Sequence, residues 1–228
     1  MNRKTKQKGA VMRRGFSATA IAVFFLVQTA AAAPVKFLLS GRDGRNVIKF
    51  ISKAPLETIE GKTGQIDGTI EVDLADVNTA SGQFEVDLTS VKTGIEMRDQ
   101  HMREGYLHTD SFPKATFKMN KVTKANAKAL ADGQPVEIEA QGELTIHGVT
   151  KPVVVSGTVT YLKESEATKA RLPGDLLHID VGTPILLSDF KVERPQFVLL
   201  KVSDKVELRV DFFATTRYPE PKPETKKQ

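Results

Sequence analysis

A strict alternation of apolar and polar residues, repeated in segment after segment, is the feature that most constrains what this chain can fold into. In the segment 136–140, for example, valine, isoleucine and alanine alternate with two glutamates. Because successive side chains of a β-strand point to opposite faces, each such segment has one apolar face and one charged face. This pattern is typical of antiparallel sheets with one wet side and argues against a parallel sheet buried on both sides. The alternation recurs in the segments 66–74, 84–88, 116–120, 153–161 and 205–212.

Short turn signals separate the alternating segments, and one stretch lacks alternation altogether. Many short strands divided by turns predict an all-β sandwich or barrel. Residues 95–108 contain good helix formers, so we expect one short helix that ends near Gly105. The stretch 121–132 is rich in Ala and Lys and is predicted to be a solvated connection or a turn of helix. Turns are predicted at Asp43-Gly44, Asp67-Gly68, Ser81-Gly82, Asp132-Gly133, Pro173-Gly174 and Gly182 before Pro184.

The first 32 residues resemble a secretory signal, with a basic segment, an apolar stretch and a run of small residues. We expect cleavage after Ala32 and a mature protein that is periplasmic or secreted. A retained membrane anchor is the alternative, but the apolar run is shorter than the ~20 residues that a spanning helix needs. Arg13-Arg14 leaves twin-arginine export open beside the general route. The expected organisation is therefore a signal peptide at 1–32, one domain at 33–217 and a disordered tail at 218–228.

Charge and composition exclude several classes of function. Six of the 33 basic residues and none of the 28 acidic residues lie in the segment 1–32, so the remainder has 27 bases, 28 acids and a net charge of about −1. A protein that neutralises phosphates needs a basic face, so no nucleic-acid partner is expected. The absence of cysteine excludes thiolate nucleophiles and cysteine-based metal sites.

The histidines are the main candidates for catalysis or metal binding. A zinc site needs three or four protein ligands, and His101 with Glu104 supplies only two at helical spacing. Thr145 lies two residues before His147, but no orienting acid or oxyanion hole is recognisable. We therefore expect no metal, no cofactor and no catalysis. A secreted enzyme that uses the region of Asp99, His101 and His108 stays open as the alternative.

Several motifs follow one another along the chain. Residues 93–102 read Thr-Gly-Ile-Glu-Met-Arg-Asp-Gln-His-Met, and residues 112–117 read Phe-Pro-Lys-Ala-Thr-Phe. Residues 142–152 read Gly-Glu-Leu-Thr-Ile-His-Gly-Val-Thr-Lys-Pro, residues 187–190 read Leu-Ser-Asp-Phe, and residues 204–208 read Asp-Lys-Val-Glu-Leu. In this order the motifs resemble those of the YceI-like family of polyisoprenoid-binding proteins, the last two being similar to its closing portion. The chain departs from the family at Lys191, where glycine is common, and in the insertion at 163–174.

The resemblance implies an antiparallel, lipocalin-like, up-and-down barrel of about eight strands with one short helix. It also implies an elongated cavity for the tail of an isoprenoid quinone or a similar amphiphilic lipid, and no catalytic residues. In a soluble barrel the apolar phase of each strand points inward, and a barrel of this size holds one slender ligand or is filled by side chains. A solid core and a homodimer both stay open. A porin-like barrel is disfavoured because aromatic residues make up only 7% and tryptophan is absent. The residues expected to contact the lipid are Val72, Phe84, Val86, Phe117, Met119, Ile138, Leu144, Val155, Val210 and Phe212.

Overall fold

The computed structural model describes Met1 and residues 33–194 and 200–218 of the chain. The rest of the predicted signal segment lies outside these residues, and so does the predicted tail after Tyr218. Within the described part, no helix is both long enough and apolar enough to cross a membrane. All the strands lie in the compact unit that begins at Ala32.

In the described part of the chain, ten strands form one antiparallel sheet. Most strands pair with their neighbours in the chain, but the first strand pairs with the fourth and the last strand pairs with the first two. The pairing of Leu38 with Thr215 closes the sheet into a barrel. The strands are β1 (Val35–Leu39), β2 (Val47–Lys53), β3 (Thr58–Thr63), β4 (Ile66–Asp73), β5 (Asp76–Asp87), β6 (Lys114–Ala125), β7 (Pro135–Ile146), β8 (Val149–Leu162), β9 (Leu176–Leu186) and β10 (Lys205–Thr215).

The ten segments make an eight-stranded barrel because two of the strands are bent. A 3-10 turn at Gly41–Asp43 separates β1 from β2, and both strands pair with β10. Likewise β3 and β4 are separated only by Gly64 and Gln65, and they pair with β2 and β1 respectively. The pairs β1/β2 and β3/β4 therefore act as two long bent strands. The predicted up-and-down antiparallel barrel of about eight strands is confirmed.

The two ends of the barrel differ. Helix α1 (Glu96–His101) continues as a π-turn at Met102–Tyr106, which agrees with the predicted short helix. It lies at the same end as the β7–β8 turn and a 3-10 turn at Leu187–Phe190, and we call this end the helix end. The opposite end, called the far end, contains the β8–β9 loop with a second helix, α2 (Glu166–Lys169), that the sequence did not predict.

Buried side chains close the far end. Leu130 is 4% exposed, and its backbone N–H donates to the Leu74 carbonyl at 2.8 Å. The Tyr161 hydroxyl donates to the Asp175 carboxylate at 2.7 Å. Burial, followed by the hydrogen bond to Asp175, raises the pKa of Tyr161 to about 12. The hydroxyl therefore stays protonated and keeps its hydrogen bond at neutral pH. Beyond this end, the Tyr218 hydroxyl donates to the Ser40 carbonyl at 3.1 Å.

Three of the predicted turns are wrong, because they lie inside β4, β5 and β9. At the first two, the glycine makes room for an aromatic ring. A Cβ atom on Gly68 would lie 2.8 Å from Cδ1 of Phe84, and one on Gly82 would lie 3.1 Å from Cε2 of the same ring. The prediction of a solvated connection over 121–132 is also wrong in part, since β6 continues to Ala125.

Candidate binding cavity

The barrel encloses a cavity of about 220 Å³. One water molecule needs roughly 10–15 Å³ on this scale, so the space is many times larger than a packing defect. The cavity runs between two clusters of buried side chains, one toward the far end and one toward the helix end. The interior is therefore not the solid core that the sequence left open.

All ten residues that were expected to contact a ligand line this cavity. Their strands expose the opposite face, as at the β7 segment 136–140, where Glu137 is exposed and Val136 and Ile138 are buried. The structure thus brings the predicted residues together in the lining of one cavity. The ten are Val72, Phe84, Val86, Phe117, Met119, Ile138, Leu144, Val155, Val210 and Phe212.

Lining residues on β2 and β9 were missed. On β2, Ile48 and Phe50 line the cavity, but Val47 and Ile51 on the outward phase are apolar too, so the alternation was masked. On β9 the alternation of apolar and polar residues could have been recognised in the sequence, because His178 and Asp180 stand between the inward apolar residues. The inward residues of β9 are Leu177, Ile179, Val181 and Thr183.

Aromatic rings form part of the wall. The rings of Phe84 and Phe117 are stacked with centroids 6.2 Å apart, and the ring of Phe84 lies 5.6 Å from that of Phe212. The Phe50 ring lies over Gly61, where an added Cβ would be 2.1 Å from Cε1 of the ring. Because these glycines have no side chain, the rings can lie against the wall instead of projecting across the cavity.

Polar side chains are almost absent from the lining. Lys49 and Thr116 border the cavity from the outward phase of their strands, between inward apolar neighbours. Thr63 and Thr183 are on the inward phase, and each is 8% exposed. The cavity therefore suits an apolar chain and has very few groups that could bind a polar one.

A cleft opens in the wall beside the cavity. The ladder between β8 and β9 runs only from Leu162↔Leu176 to Ser156↔Gly182, so the remaining parts of the two strands are not paired with each other. Proline is tolerated in strands at such edges, and Pro152 and Pro184 lie on the two sides of the cleft. Val153 and Thr183 line both the cleft and the cavity, so the two spaces meet there.

The predicted alternative site around α1 is a structural network. Asp99 is 5% exposed and accepts a hydrogen bond from the Thr93 backbone N–H at 2.7 Å. Burial raises the pKa of Asp99, but the hydrogen bonds from Thr93 and the charges of Arg103 and Arg98 outweigh it and hold the pKa below its usual value. Arg98 also pairs with Glu57 at 2.6 Å. Asp99 therefore joins α1, as a carboxylate, to the segment that precedes it, and Arg98 joins α1 to the loop between β2 and β3.

The histidines do not join Asp99. His108 Nδ1 lies 2.8 Å from His147 Nε2, and His147 Nδ1 lies 3.3 Å from the Phe190 carbonyl oxygen. Among the described residues, no hydrogen bond or ion pair connects Asp99, His101 and His108, and no group of three or more potential ligands could hold a metal ion. The histidine pair joins the loop after the π-turn to the β7–β8 turn.

The suggested Thr145–His147 pair is not formed. The Thr145 hydroxyl lies 2.8 Å from that of Thr150, across the β7–β8 hairpin. His147 instead has a positive φ of 52° and forms, with Gly148, the turn between β7 and β8. The geometry thus offers no activated hydroxyl at this position.

Comparison with known proteins agrees with this architecture. A family model described as "YceI-like domain" matches residues 43–220. UPF0312 protein VPA0850 of Vibrio parahaemolyticus is 27% identical over 147 residues, which cover 63% of this chain and 72% of the relative. UPF0312 protein VV2_0231 of Vibrio vulnificus is 28% identical over 147 residues, covering 64% and 73%.

Two solved structures share the fold. BcnA of Burkholderia cenocepacia superposes with a TM-score of 0.60 at 22% identity, covering 76% of this chain and 98% of that one. A polyisoprenoid binding domain from Saccharophagus degradans, described as implicated in plant cell wall breakdown, gives a TM-score of 0.58 at 18% identity and covers 82% and 99%.

Proposed function

The chain belongs to the family of YceI-like domains, and from this membership we propose that it is an exported protein that holds a polyisoprenoid or isoprenoid-quinone-like lipid inside its barrel. The lipid would be stored, transported or sequestered there. The observation that carries the proposal is the enclosed cavity of about 220 Å³ with an almost wholly apolar lining. The binding protein from Saccharophagus degradans, whose fold is similar, supports the choice of ligand class.

The shape and the lining of the cavity favour a long apolar chain. A barrel of eight strands is just wide enough to hold one slender ligand. Burying apolar surface is worth about 25 cal/mol per Å², and that term does not depend on the identity of a head group. Polar ligands would lose hydrogen bonds to water and find few replacements in this lining. An isoprenoid tail makes no hydrogen bonds to water and therefore loses none when it enters the cavity.

No catalytic step is part of the proposal. Asp99, the most buried carboxylate of the predicted alternative site, is occupied by the N–H and hydroxyl of Thr93. The family is one of binding domains, which favours the same conclusion. Export is proposed from the character of residues 1–32, and it places the protein in the periplasm or outside the cell.

The test is to extract the purified full-length protein with organic solvent and to identify the extract by mass spectrometry. We expect close to one prenyl quinone, prenol or similar lipid per protein chain. Tightly bound metal with no lipid, measured by elemental analysis of the same preparation, would favour the enzyme alternative. A protein that carries neither, and that takes up no prenol when it is refolded with one, would contradict the proposal.

A further inference from the structure

We propose that the Thr183 hydroxyl binds the polar end of the lipid, so that the ligand carries a hydroxyl or carbonyl oxygen that hydrogen-bonds inside the barrel wall. The inference rests on the proposed function and adds to it a chemical class of head group and an orientation. It starts from the two polar side chains on the inward phase of the cavity, Thr63 and Thr183.

The hydroxyl of Thr63 is already used by the protein. Its Oγ1 lies 2.6 Å from Oγ of Ser90, which in turn donates to the Asp87 carbonyl. It also accepts from the backbone N–H of Gln65 at 2.9 Å. With one hydrogen to donate and these two partners, Thr63 has little left for a ligand.

The hydroxyl of Thr183 is poorly satisfied. It donates to the carbonyl of Pro184 at 3.3 Å, beyond the roughly 2.5–3.0 Å usual for such bonds. No described residue donates to it, so its oxygen has no donor among the described residues at a position that lines the cavity. Thr183 is only 8% exposed, and leaving a buried hydroxyl unpaired is costly. A ligand oxygen beside it would remove that cost, because a hydroxyl of the ligand could donate to Thr183 and a carbonyl could accept from it.

The position of Thr183 sets the orientation of the lipid. Thr183 lies where the cavity meets the cleft between β8 and β9, which has Lys151, Asp189 and Lys205 among its lining residues. From Thr183 toward the far end, the inward residues of β9 are all apolar: Val181, Ile179 and Leu177. The head group would therefore lie at the junction with the cleft, and the tail would extend toward the closed far end.

The experiment compares two probes, all-trans-geranylgeraniol and the hydrocarbon that has the same chain without the hydroxyl. Both are titrated into the delipidated full-length protein, and the readout is the ratio of the two dissociation constants. Thr183→Val keeps the shape of the side chain and removes the hydroxyl. We expect this variant to lose about two- to ten-fold of the parent's preference for the alcohol, the value of one buried hydrogen bond.

Three further variants serve as controls. Thr183→Ser retains a hydroxyl and should keep the parental preference for the alcohol. Thr183→Ala should lose that preference as Thr183→Val does, so the test can still be made if one of these two variants does not fold. Thr63→Val is the matched control: it removes the other inward hydroxyl and should lower the melting temperature without changing the preference ratio.

A failure of this inference can be distinguished from a failure of the proposed function. If both probes bind the parent and the ratio is the same in Thr183→Val, the lipid-binding function stands and the role of Thr183 is refuted. A change of the ratio in Thr63→Val instead would refute it too, and would move the head group to that side. If neither probe binds the parent, the proposed function fails and this inference fails with it.

Discussion

Replacing Val155 by Phe tests whether the cavity is a space that the lipid and a side chain compete for. Val155 is half-buried on β8, lines the cavity, and pairs with the small, fully buried Ala140 on β7. Phenylalanine brings four more carbon atoms than valine. With no bulky neighbour at Ala140, the larger side chain is directed into the cavity.

The substitution should change the free energy of unfolding in opposite directions depending on whether there is a cavity beside Val155. Burying each added carbon is worth about 0.8 kcal/mol, so four of them contribute at most roughly 3 kcal/mol to the free energy of unfolding of the lipid-free protein. Restricted rotamers reduce this gain, and we expect between zero and about 2 kcal/mol. In a core without a cavity, the same substitution would cost about 1–3 kcal/mol. For a domain of this size, each kcal/mol corresponds to about 2–4 °C in melting temperature.

The assay measures both consequences on parent and variant. Calorimetry of the delipidated proteins should give a melting temperature for Val155→Phe that is equal to the parent's or a few degrees higher. Lipid extracted from the undelipidated variant should fall well below that of the parent, since the ring occupies ligand volume. Val47→Phe is the matched control, because Val47 is 40% exposed on β2 and faces outward. It should change neither quantity much.

Two results would refute this reasoning. A melting temperature lowered by more than about 4 °C in the delipidated variant means that there is no room beside Val155. Unchanged lipid content in a stable Val155→Phe protein means that the ligand does not reach this part of the wall.

Four shorter predictions follow from the same structure. Gly61→Ala should push the Phe50 ring by more than about 1 Å, because the new Cβ would start 2.1 Å from Cε1; we expect less bound lipid and a loss of about 1–3 kcal/mol in urea unfolding. Ile138→Asp buries an unpaired carboxylate at a position that is 8% exposed, so the variant should be unfolded by circular dichroism or, if folded, yield no lipid on extraction. Asp99→Asn should cost about 1–3 kcal/mol at pH 7. Because the pKa of Asp99 is lowered in the folded state, its contribution is complete above about pH 4 and is lost as the pH falls below that value, so the stability difference between parent and variant should shrink on acidification. N-terminal sequencing of the protein from the periplasm or medium should begin at Ala33.

Each of these has its control and its contradicting result. Gly105→Ala, which meets no atom within 4 Å, should be silent, and equal lipid content in Gly61→Ala would place the ring elsewhere. Val47→Asp should fold normally; a folded, lipid-loaded Ile138→Asp protein would mean that the strand register is wrong. If the stability difference between Asp99→Asn and the parent stayed constant from pH 7 to pH 2, the effect of Asp99 would not depend on its carboxylate charge, contrary to the prediction. Recovery of residues 1–32 in a membrane fraction would contradict cleavage.

The sequence predicted the inward face of most strands because the alternation between apolar and charged residues was clean, as at Phe84 and Ile138. It could not predict which glycines form turns. Gly68 and Gly82 look like turn residues, but their absent side chains make room for Phe84, which is a contact between strands and leaves no local signal. Phe50 was missed because apolar residues occupy both faces of β2.

The cleft and the poorly satisfied hydroxyl of Thr183 could not be predicted either, because both depend on which strands pair. Nothing near Thr183 in the chain indicates that β8 separates from β9 after Ser156↔Gly182. Pro184 was interpreted as a turn signal, whereas it lies within β9 on the edge that faces the cleft. The pairing of His108 with His147 likewise joins residues far apart in the chain.

The pairing of the first strands with the last has a consequence for the order of folding. Since β1 and β2 complete their hydrogen bonds only against β10, the ring stays open until the final strand has been made and delivered. Contacts between the two termini of a domain form slowly, because a long loop must close first. A nascent chain that lacks β10 is an open sheet whose apolar face is exposed to water. Chaperones recognise such a form, and it aggregates when no chaperone binds it. For a protein that is exported as an unfolded chain, this delay would keep the polypeptide unfolded until its last strand has emerged on the other side of the membrane.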